Sequence, residues 1–226
     1  QPLPQGADGR LEVADIEAAI KPDDPHFARS RLLALENTWG GAVLPLDYIE
    51  QATALARRRG LATHLDGARL FNAAVATAGD GGDPVAQARR IASHFDSVSV
   101  CFSKGLGAPV GSALCGSAEL IQRALRIRKM LGGGMRQAGV LAAAALHALA
   151  HHVARLAEDH ANARRLADGL QGLDGVHVVP PQTNIVFVDL AAERAAGVVD
   201  RLREAGVLCT GLYRLRFVTH LDVSSA

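Results

Sequence analysis

Residues 61–79 read LATHLDGARLFNAAVATAG, and residues 97–112 read SVSVCFSKGLGAPVGS. Each stretch contains a short apolar run of strand length. In the first stretch a helical pattern follows, with Phe71 and Val75 on its inward side, and a second helix is predicted over residues 84–95. Strands that alternate with helices predict βαβ units. We therefore expect an α/β fold with a mostly parallel sheet that helices cover on both faces.

The same alternation extends in both directions and gives a large domain over residues 1–152. The further elements predicted for it are a helix at 10–20, a strand at 30–37, a helix at 44–60 capped by Asp47, a strand at 111–117, a basic helix at 117–134 and the start of an alanine-rich helix that runs from 137 to 172. Residues 153–226 change character. Their pattern predicts a small α+β lobe with short strands and one helix at 191–206.

The composition limits the classes of partner. Lysine plus arginine number 24 against 23 acidic residues, so the net charge of +1 gives no electrostatic case for nucleic acid or an anionic membrane. A small-molecule partner is expected. Cys101, Cys115 and Cys209 lie in apolar segments without CxxC spacing, which predicts buried free thiols. With no secretory leader in the chain, the expected location is the cytoplasm.

Lys104 and Asp66 are the residues most indicative of chemistry. Both follow strands, and ligands of parallel sheets gather at the carboxyl ends of the strands. A lysine amine that can form a Schiff base and a carboxylate that keeps a pyridine nitrogen protonated are what a pyridoxal-phosphate (PLP) site needs. By position alone, Lys104 would more often be a solvated loop residue and Asp66 part of an ordinary Asp-Gly turn. His64 lies on the same side of its strand as Asp66.

Several longer motifs carry a resemblance that runs nearly end to end. They are ENT at 36–38, VLPLDYI at 43–49, HLDGARLFNAAVA at 64–76, SVCFSKGLGAPVGS at 99–112, RKMLGGGMRQAGVLAAA at 128–144 and RFVTHLDVS at 216–224. In order and spacing they resemble the low-specificity L-threonine aldolase family of fold type I PLP enzymes, within the beta-eliminating lyase and threonine aldolase group. The resemblance implies the fold type I large domain and a C-terminal small domain.

The resemblance also implies roles for individual residues. Lys104 would carry PLP as a Schiff base, and Asp66 would pair with the pyridine nitrogen. Arg69 and Arg216 would bind the substrate carboxylate, for which a planar guanidinium is well suited. Taken alone, either arginine would be read as part of an ordinary surface ion pair.

Three further residues match family positions. Lys129 and Arg136, on either side of a glycine run, would reach the PLP phosphate of a neighbouring subunit, which implies a homo-oligomer, a dimer or tetramer, with shared sites. Without the family they would be read as a solvated basic surface. His26 matches a histidine near the substrate hydroxyl, although a lone histidine is more often a loop or core residue. No metal site is expected, because the pair His147 and His151 lacks an accompanying carboxylate motif.

The implied reaction is cleavage of L-threonine or L-allo-threonine to glycine and acetaldehyde, with His26 or a bound water as the base. Two departures from the family pattern bear on it. Trp39 stands where the family usually has a histidine, and an indole cannot accept a proton. The phosphate-binding segment that precedes these motifs in the family is expected to be missing, as is a last helix. The alternatives are another fold type I PLP lyase or aminotransferase, and a non-catalytic partial homologue that serves as an oligomerisation subunit.

Overall fold

The computed structural model of the protein describes residues 1–79, 81–211 and 214–225. In chain order its elements are α1 (Val13–Ala19), β1 (Leu32–Glu36), α2 (Leu46–Arg58), β2 (Ala62–Asp66), α3 (Leu70–Ala78), α4 (Pro84–Ala92), β3 (Ser97–Cys101), β4 (Ser112–Gly116), α5 (Ala118–Met130), α6 (Gly139–His151), α7 (Leu156–Leu170), β5 (Val176–Val179), β6 (Ile185–Leu190), α8 (Ala192–Ala195), α9 (Val198–Glu204), β7 (Thr210–Gly211) and β8 (Leu215–Val218).

The first four strands form one sheet in the order β1-β2-β3-β4. β2 pairs in parallel with both β1 and β3, whereas β4 pairs antiparallel to β3. The expectation of an α/β fold with a mostly parallel sheet is therefore confirmed. The register places Glu36 opposite Asp66, and Asp66 opposite Ser99.

Helices cover only one face of this sheet within the described part of the chain. Leu33, Leu35, Leu65, Val98 and Val100 point into the core formed with α1 to α4. On the opposite face Leu32 is 54% exposed and Leu114 is 42% exposed. The expectation that both faces are covered was wrong for these residues. Since the strand order advances in one direction from β1 to β3, right-handed crossovers place their connecting helices on the same face.

The tail forms a second, wholly antiparallel sheet in the order β5-β6-β8-β7. Ala163 and Ala167 of α7 pack against Val178, Val186 and Val188 of this sheet. The small α+β lobe expected from the sequence is thus present. A domain boundary between residues 152 and 153 stays a prediction, and α6 ends and α7 begins on either side of it.

Three local predictions differ from the structure. Asp47 is not the cap of α2, because Pro45 holds that position and the Asp47 carboxylate accepts a hydrogen bond from its neighbour Tyr48. The helix predicted at 191–206 is two helices, interrupted by Gly197 with φ of +67°. A left-handed residue cannot continue a right-handed helix.

The third difference concerns the alanine-rich region, which is bent by 71° between α6 and α7. Val153 and Leu156 are buried beside Leu106 and Ala108 at this bend, so tertiary packing replaces a straight helix. No single described helix is long and apolar enough to cross a membrane. Taken together, α6 and α7 would be long and apolar enough, but this comparison considers length and composition alone.

The cysteines are free, as predicted, but they are not buried thiols. Cys115 is exposed, and Cys101 and Cys209 are half-buried. Cys115 lies on β4, whose residues are mostly exposed. Apolar sequence context therefore did not predict burial here.

Candidate active site

Charged side chains meet where the three parallel strands end. Glu36 is the last residue of β1 and Asp66 the last residue of β2, and the two are paired in the register. β3 ends at Cys101, three residues before Lys104. Because parallel strands end at the same edge of a sheet, a glutamate, an aspartate and a lysine lie at this edge.

The pKa of the Glu36 carboxyl responds to burial and to the charges around it. Burial raises the pKa of the Glu36 carboxyl above its ordinary value of 4.5, and the charge of Asp66 raises it further. The positive charges of Arg69 and Lys104 offset part of that increase. Asp66, Arg69 and Lys104 therefore all act on one half-buried carboxyl, which makes them a single electrostatic group.

Lys104 and Asp66 are both accessible at this edge. The Lys104 side chain is exposed, and its carbonyl accepts a hydrogen bond of 2.8 Å from the Gly107 amide, which closes a tight turn. One oxygen of Asp66 accepts from the Ala68 amide at 3.0 Å. Among the described residues nothing donates to the other oxygen, so it is available to a ligand.

Two arginines from different lobes converge on the same place. Arg69 directly precedes α3, and Arg216 lies on β8 opposite Phe187. Burial lowers the pKa of Arg69, and the charge of Arg216 lowers it further, whereas Glu36 acts in the opposite direction. Two guanidinium groups that repel each other form a site that an anion such as a carboxylate would stabilise.

Glu36 belongs to this group but was not among the site residues predicted from the sequence. Its position at the end of a strand, like that of Asp66, could have indicated it. The two residues that follow it, Asn37 and Thr38, are fully buried, and among the described residues the Asn37 Nδ2 and Thr38 Oγ1 atoms have no hydrogen-bond partner. The ENT segment thus places polar atoms next to the site.

His64 and Trp39 make contacts outside the charged group. The His64 ring is 2.8 Å from the Ser97 hydroxyl across the sheet. Trp39 packs against the amino-terminal loop, where a Cβ at Gly9 would lie 2.9 Å from the Trp39 Cβ. The Trp39 side chain is therefore in contact with that loop.

The structure does not bring the remaining three predicted residues into the group. His26 lies in the loop before β1, and its exposed ring is 2.8 Å from Asp24. Lys129 is in the last turn of α5 and Arg136 in the following loop, and both are exposed. The Lys129 amine lies over the glycine run, 3.8 Å from where a Cβ of Gly134 would be.

The residues present fit the ring end of a PLP molecule. An amine and a carboxylate stand at the ends of neighbouring strands, and one oxygen of that carboxylate is left for a ring nitrogen. Three or more His, Cys, Asp or Glu side chains are nowhere grouped so as to hold a metal ion in the part of the chain that the structure describes.

Comparison with known proteins shows which family this chain resembles. Residues 1–193 match the family model described as beta-eliminating lyase. Over 99% of its length the chain is 47% identical to a low-specificity L-threonine aldolase of Escherichia coli K12, of which it spans 65%.

Two solved structures share the fold. A threonine aldolase of Leishmania major superimposes with a TM-score of 0.77 at 23% identity, over 96% of this chain and 64% of that one. A serine palmitoyltransferase of S. paucimobilis, solved with PLP bound as a myriocin adduct, gives a TM-score of 0.69 at 22% identity over 95% of this chain and 54% of that one. At these identities the likeness concerns the fold alone.

Proposed function

Because this chain belongs to the beta-eliminating lyase family, we propose that the protein is a PLP-dependent L-threonine aldolase. The reaction is the cleavage of L-threonine or L-allo-threonine to glycine and acetaldehyde. The observation that carries the proposal is the single electrostatic group of Glu36, Asp66, Arg69 and Lys104, which Arg216 joins from the small lobe. The 47% identical E. coli protein, a low-specificity L-threonine aldolase, supports the choice of substrate.

In this proposal Lys104 and Asp66 hold the cofactor. Lys104 would hold PLP through its amine, and the free oxygen of Asp66 would pair with the pyridine nitrogen and keep it protonated. When bound, PLP supplies an acceptor for the electron pair released as the Cα–Cβ bond breaks. The exposed position of Lys104 supports this role, since its amine must be accessible to the cofactor and the substrate.

The two arginines orient the substrate. Arg69 and Arg216 bind its carboxylate, which relieves the repulsion between the two guanidinium groups. A base takes the proton of the β-hydroxyl group as acetaldehyde leaves, and the candidates are His26 and a bound water. For His26 to act, the loop before β1 must approach the site, since in this structure its ring pairs with Asp24.

A homo-oligomer, a dimer or tetramer, belongs to the proposal. In it Lys129 and Arg136 would help to hold the phosphate of a PLP molecule in a neighbouring subunit. The apolar surface around these two residues supports the idea, because Met130 and Leu131 are each 83% exposed and Met135 is 66% exposed. Exposed apolar patches of this kind mark surfaces that another chain covers. Location in the cytoplasm and participation in threonine catabolism complete the proposal.

The experiment measures products and cofactor together. The full-length protein loaded with PLP is expected to release glycine and acetaldehyde from L-threonine. Lys104→Ala should abolish the visible absorbance of covalently held PLP and lower turnover by more than about a thousandfold. Lys21→Ala is the matched control, because Lys21 lies after α1 and outside the charged group. A Lys104→Ala protein that kept the visible band would refute the assignment.

The alternative within the family is another PLP lyase or an aminotransferase. The match to the beta-eliminating lyase family favours this alternative as the second candidate. Release of pyruvate and ammonia from serine or cysteine, without acetaldehyde from threonine, would select a β-eliminating enzyme. A full-length protein that binds no PLP would instead favour the non-catalytic oligomerisation subunit.

A further inference from the structure

Asn72 is at the centre of a buried cluster of polar side chains, separate from the charged group. The Asn72 Nδ2 atom is 3.2 Å from His160 Nε2 and 3.3 Å from Asn184 Oδ1. The three residues are 2%, 3% and 1% exposed. Since an amide nitrogen has two hydrogens, Asn72 can donate one to each neighbour. The cluster therefore joins α3, α7 and the start of β6.

The turn that carries Lys104 rests on this cluster. A Cβ at Gly105 would lie 2.9 Å from Leu156 Cδ2 and 3.1 Å from Asn72 Oδ1, so a side chain there would displace Leu156 and crowd Asn72. On the other side of the turn, the Leu106 carbonyl is 2.7 Å from His152 Nδ1. The backbone next to Lys104 is thus seated directly against the Asn72 side chain.

On its opposite side the cluster holds the strand that carries Arg216. Asn184 Nδ2 donates to the Thr219 carbonyl at 2.9 Å, and the Thr219 amide donates to the Asn184 carbonyl at 3.0 Å. Thr219 directly follows β8, which contains Arg216, and its hydroxyl donates to the Asp159 carbonyl at 2.7 Å. These bonds fix the end of β8 relative to Asn184, and Asn184 accepts from Asn72.

We infer that Asn72 is a positioning residue that sets the Lys104 turn relative to the strand that bears Arg216. Asn72 touches the backbone turn on one side and the small lobe on the other. The consequence for chemistry rests on the proposed function, in which Lys104 and Arg216 act on the same substrate molecule. A small displacement between such groups costs much of the rate of a reaction that depends on orientation.

His160 must be uncharged for this arrangement. Burial, and to a smaller extent the nearby charge of Arg164, lowers the pKa of His160 to about 4. The neighbouring carboxylate, Asp159, is paired with Arg155 at 2.6 Å. At neutral pH the ring is therefore uncharged, and in the tautomer that carries its proton on Nδ1 the lone pair on Nε2 accepts from Asn72. Replacing the Asn72 amide nitrogen by oxygen removes the donor with little change of volume.

The test compares Asn72→Asp and Asn72→Ala with Thr53→Val in the full-length protein loaded with PLP. Thr53 is also fully buried, and its hydroxyl bonds only within α2, so its replacement removes a buried hydrogen bond elsewhere. For threonine cleavage we expect both Asn72 variants to lower kcat by about ten- to a hundredfold with KM changed by less than about threefold. Thr53→Val should keep kcat within about twofold.

Asn72→Asp also has a signature in its pH profile. The introduced carboxylate favours a protonated His160, because an N–H on Nε2 can donate to it. We expect kcat of this variant to recover as the pH is lowered from about 8 to about 6, whereas Asn72→Ala should not recover. Equal pH profiles for the two variants would overturn the role assigned to the Asn72–His160 bond.

Hydrogen exchange measured by mass spectrometry gives a readout that does not depend on activity. In the full-length protein with and without PLP, both Asn72 variants should speed exchange in residues 103–108 and 184–190 by about tenfold, and Thr53→Val should not. Unchanged exchange in these two segments would overturn the inference, even if kcat fell. If the wild type did not cleave threonine, the proposed function would be wrong. The exchange result would still decide whether Asn72 positions the two segments.

Discussion

Arg216 and Arg69 illustrate why residue identity matters more than charge at this site. Both would face one carboxylate, and a guanidinium plane can form two parallel hydrogen bonds where an ammonium group cannot. We expect Arg216→Lys to raise KM for L-threonine by roughly tenfold, a loss of about 1.4 kcal/mol in binding. Steady-state kinetics of the full-length protein would measure it.

The control for that substitution is Arg214→Lys. Arg214 pairs with Asp189 at 2.7 Å and stacks on Phe187, 4.8 Å from the ring centroid. Its exposed ion pair contributes little, so KM should stay within about twofold. An equal rise of KM in both variants would contradict a specific role for Arg216.

Glu36 gives a second prediction at the residue scale, because its negative charge opposes a substrate carboxylate. Glu36→Gln should lower KM for L-threonine by about threefold, the size of a screened interaction between charges. As the pH falls through the raised pKa of Glu36, the wild-type carboxyl takes up a proton and comes to resemble the variant. The ratio of the two KM values should therefore approach one at acidic pH. KM measured against pH would check this.

Glu50→Gln serves as the control for Glu36, because Glu50 is exposed on α2. Its substitution should leave KM unchanged across the pH range. A Glu36→Gln protein whose KM ratio to wild type did not vary with pH would show that the charge of Glu36 does not reach the substrate.

At the scale of elements, the turn after β1 connects the two sheets through Gly41. Its φ is +89°, and a Cβ there would lie 2.9 Å from the Ile185 Cβ at the start of β6. The Gly41 carbonyl also accepts a hydrogen bond of 2.7 Å from Thr183. Gly41→Ala should lower the free energy of unfolding by about 2 to 4 kcal/mol, through backbone strain and overlap together.

Urea denaturation of Gly41→Ala and Gly60→Ala would separate these two causes. Gly60 also has a positive φ, +71°, but nothing lies within 4 Å of an added Cβ. It should therefore lose only the strain component, about 1 kcal/mol. Equal losses of unfolding free energy in both variants would mean that Ile185 shifts and relieves the overlap at little cost.

For the whole molecule, His160 makes stability depend on pH. Its pKa is about 4 in the folded protein against 6.5 in the unfolded chain, so between these values only the unfolded chain takes up the proton. The free energy of unfolding should fall by about 3 kcal/mol as the pH drops from 6.5 to 4, and this contribution should level off below 4. Denaturation of the wild type and His160→Gln across this range would isolate the effect, which should be absent from the variant.

The sequence by itself determined the classes of element and predicted most of the proposed site residues. Alternation of apolar runs predicted the strands, and strand ends predicted that Asp66 and Lys104 would meet, because both are consequences of local geometry along the chain. Family motifs predicted Arg69 and Arg216. The same strand-end rule applies to Glu36, whose place in the group became evident only from the register of β1 with β2.

Only the tertiary structure decided the rest. The bend between α6 and α7 follows from the burial of Val153 and Leu156 against the Lys104 loop, and the exposed face of the sheet follows from crossovers that share one side. The Asn72 cluster joins residues up to 112 positions apart. Such contacts depend on how distant elements pack, which periodicity does not encode, since it reports only the neighbours of a residue along the chain.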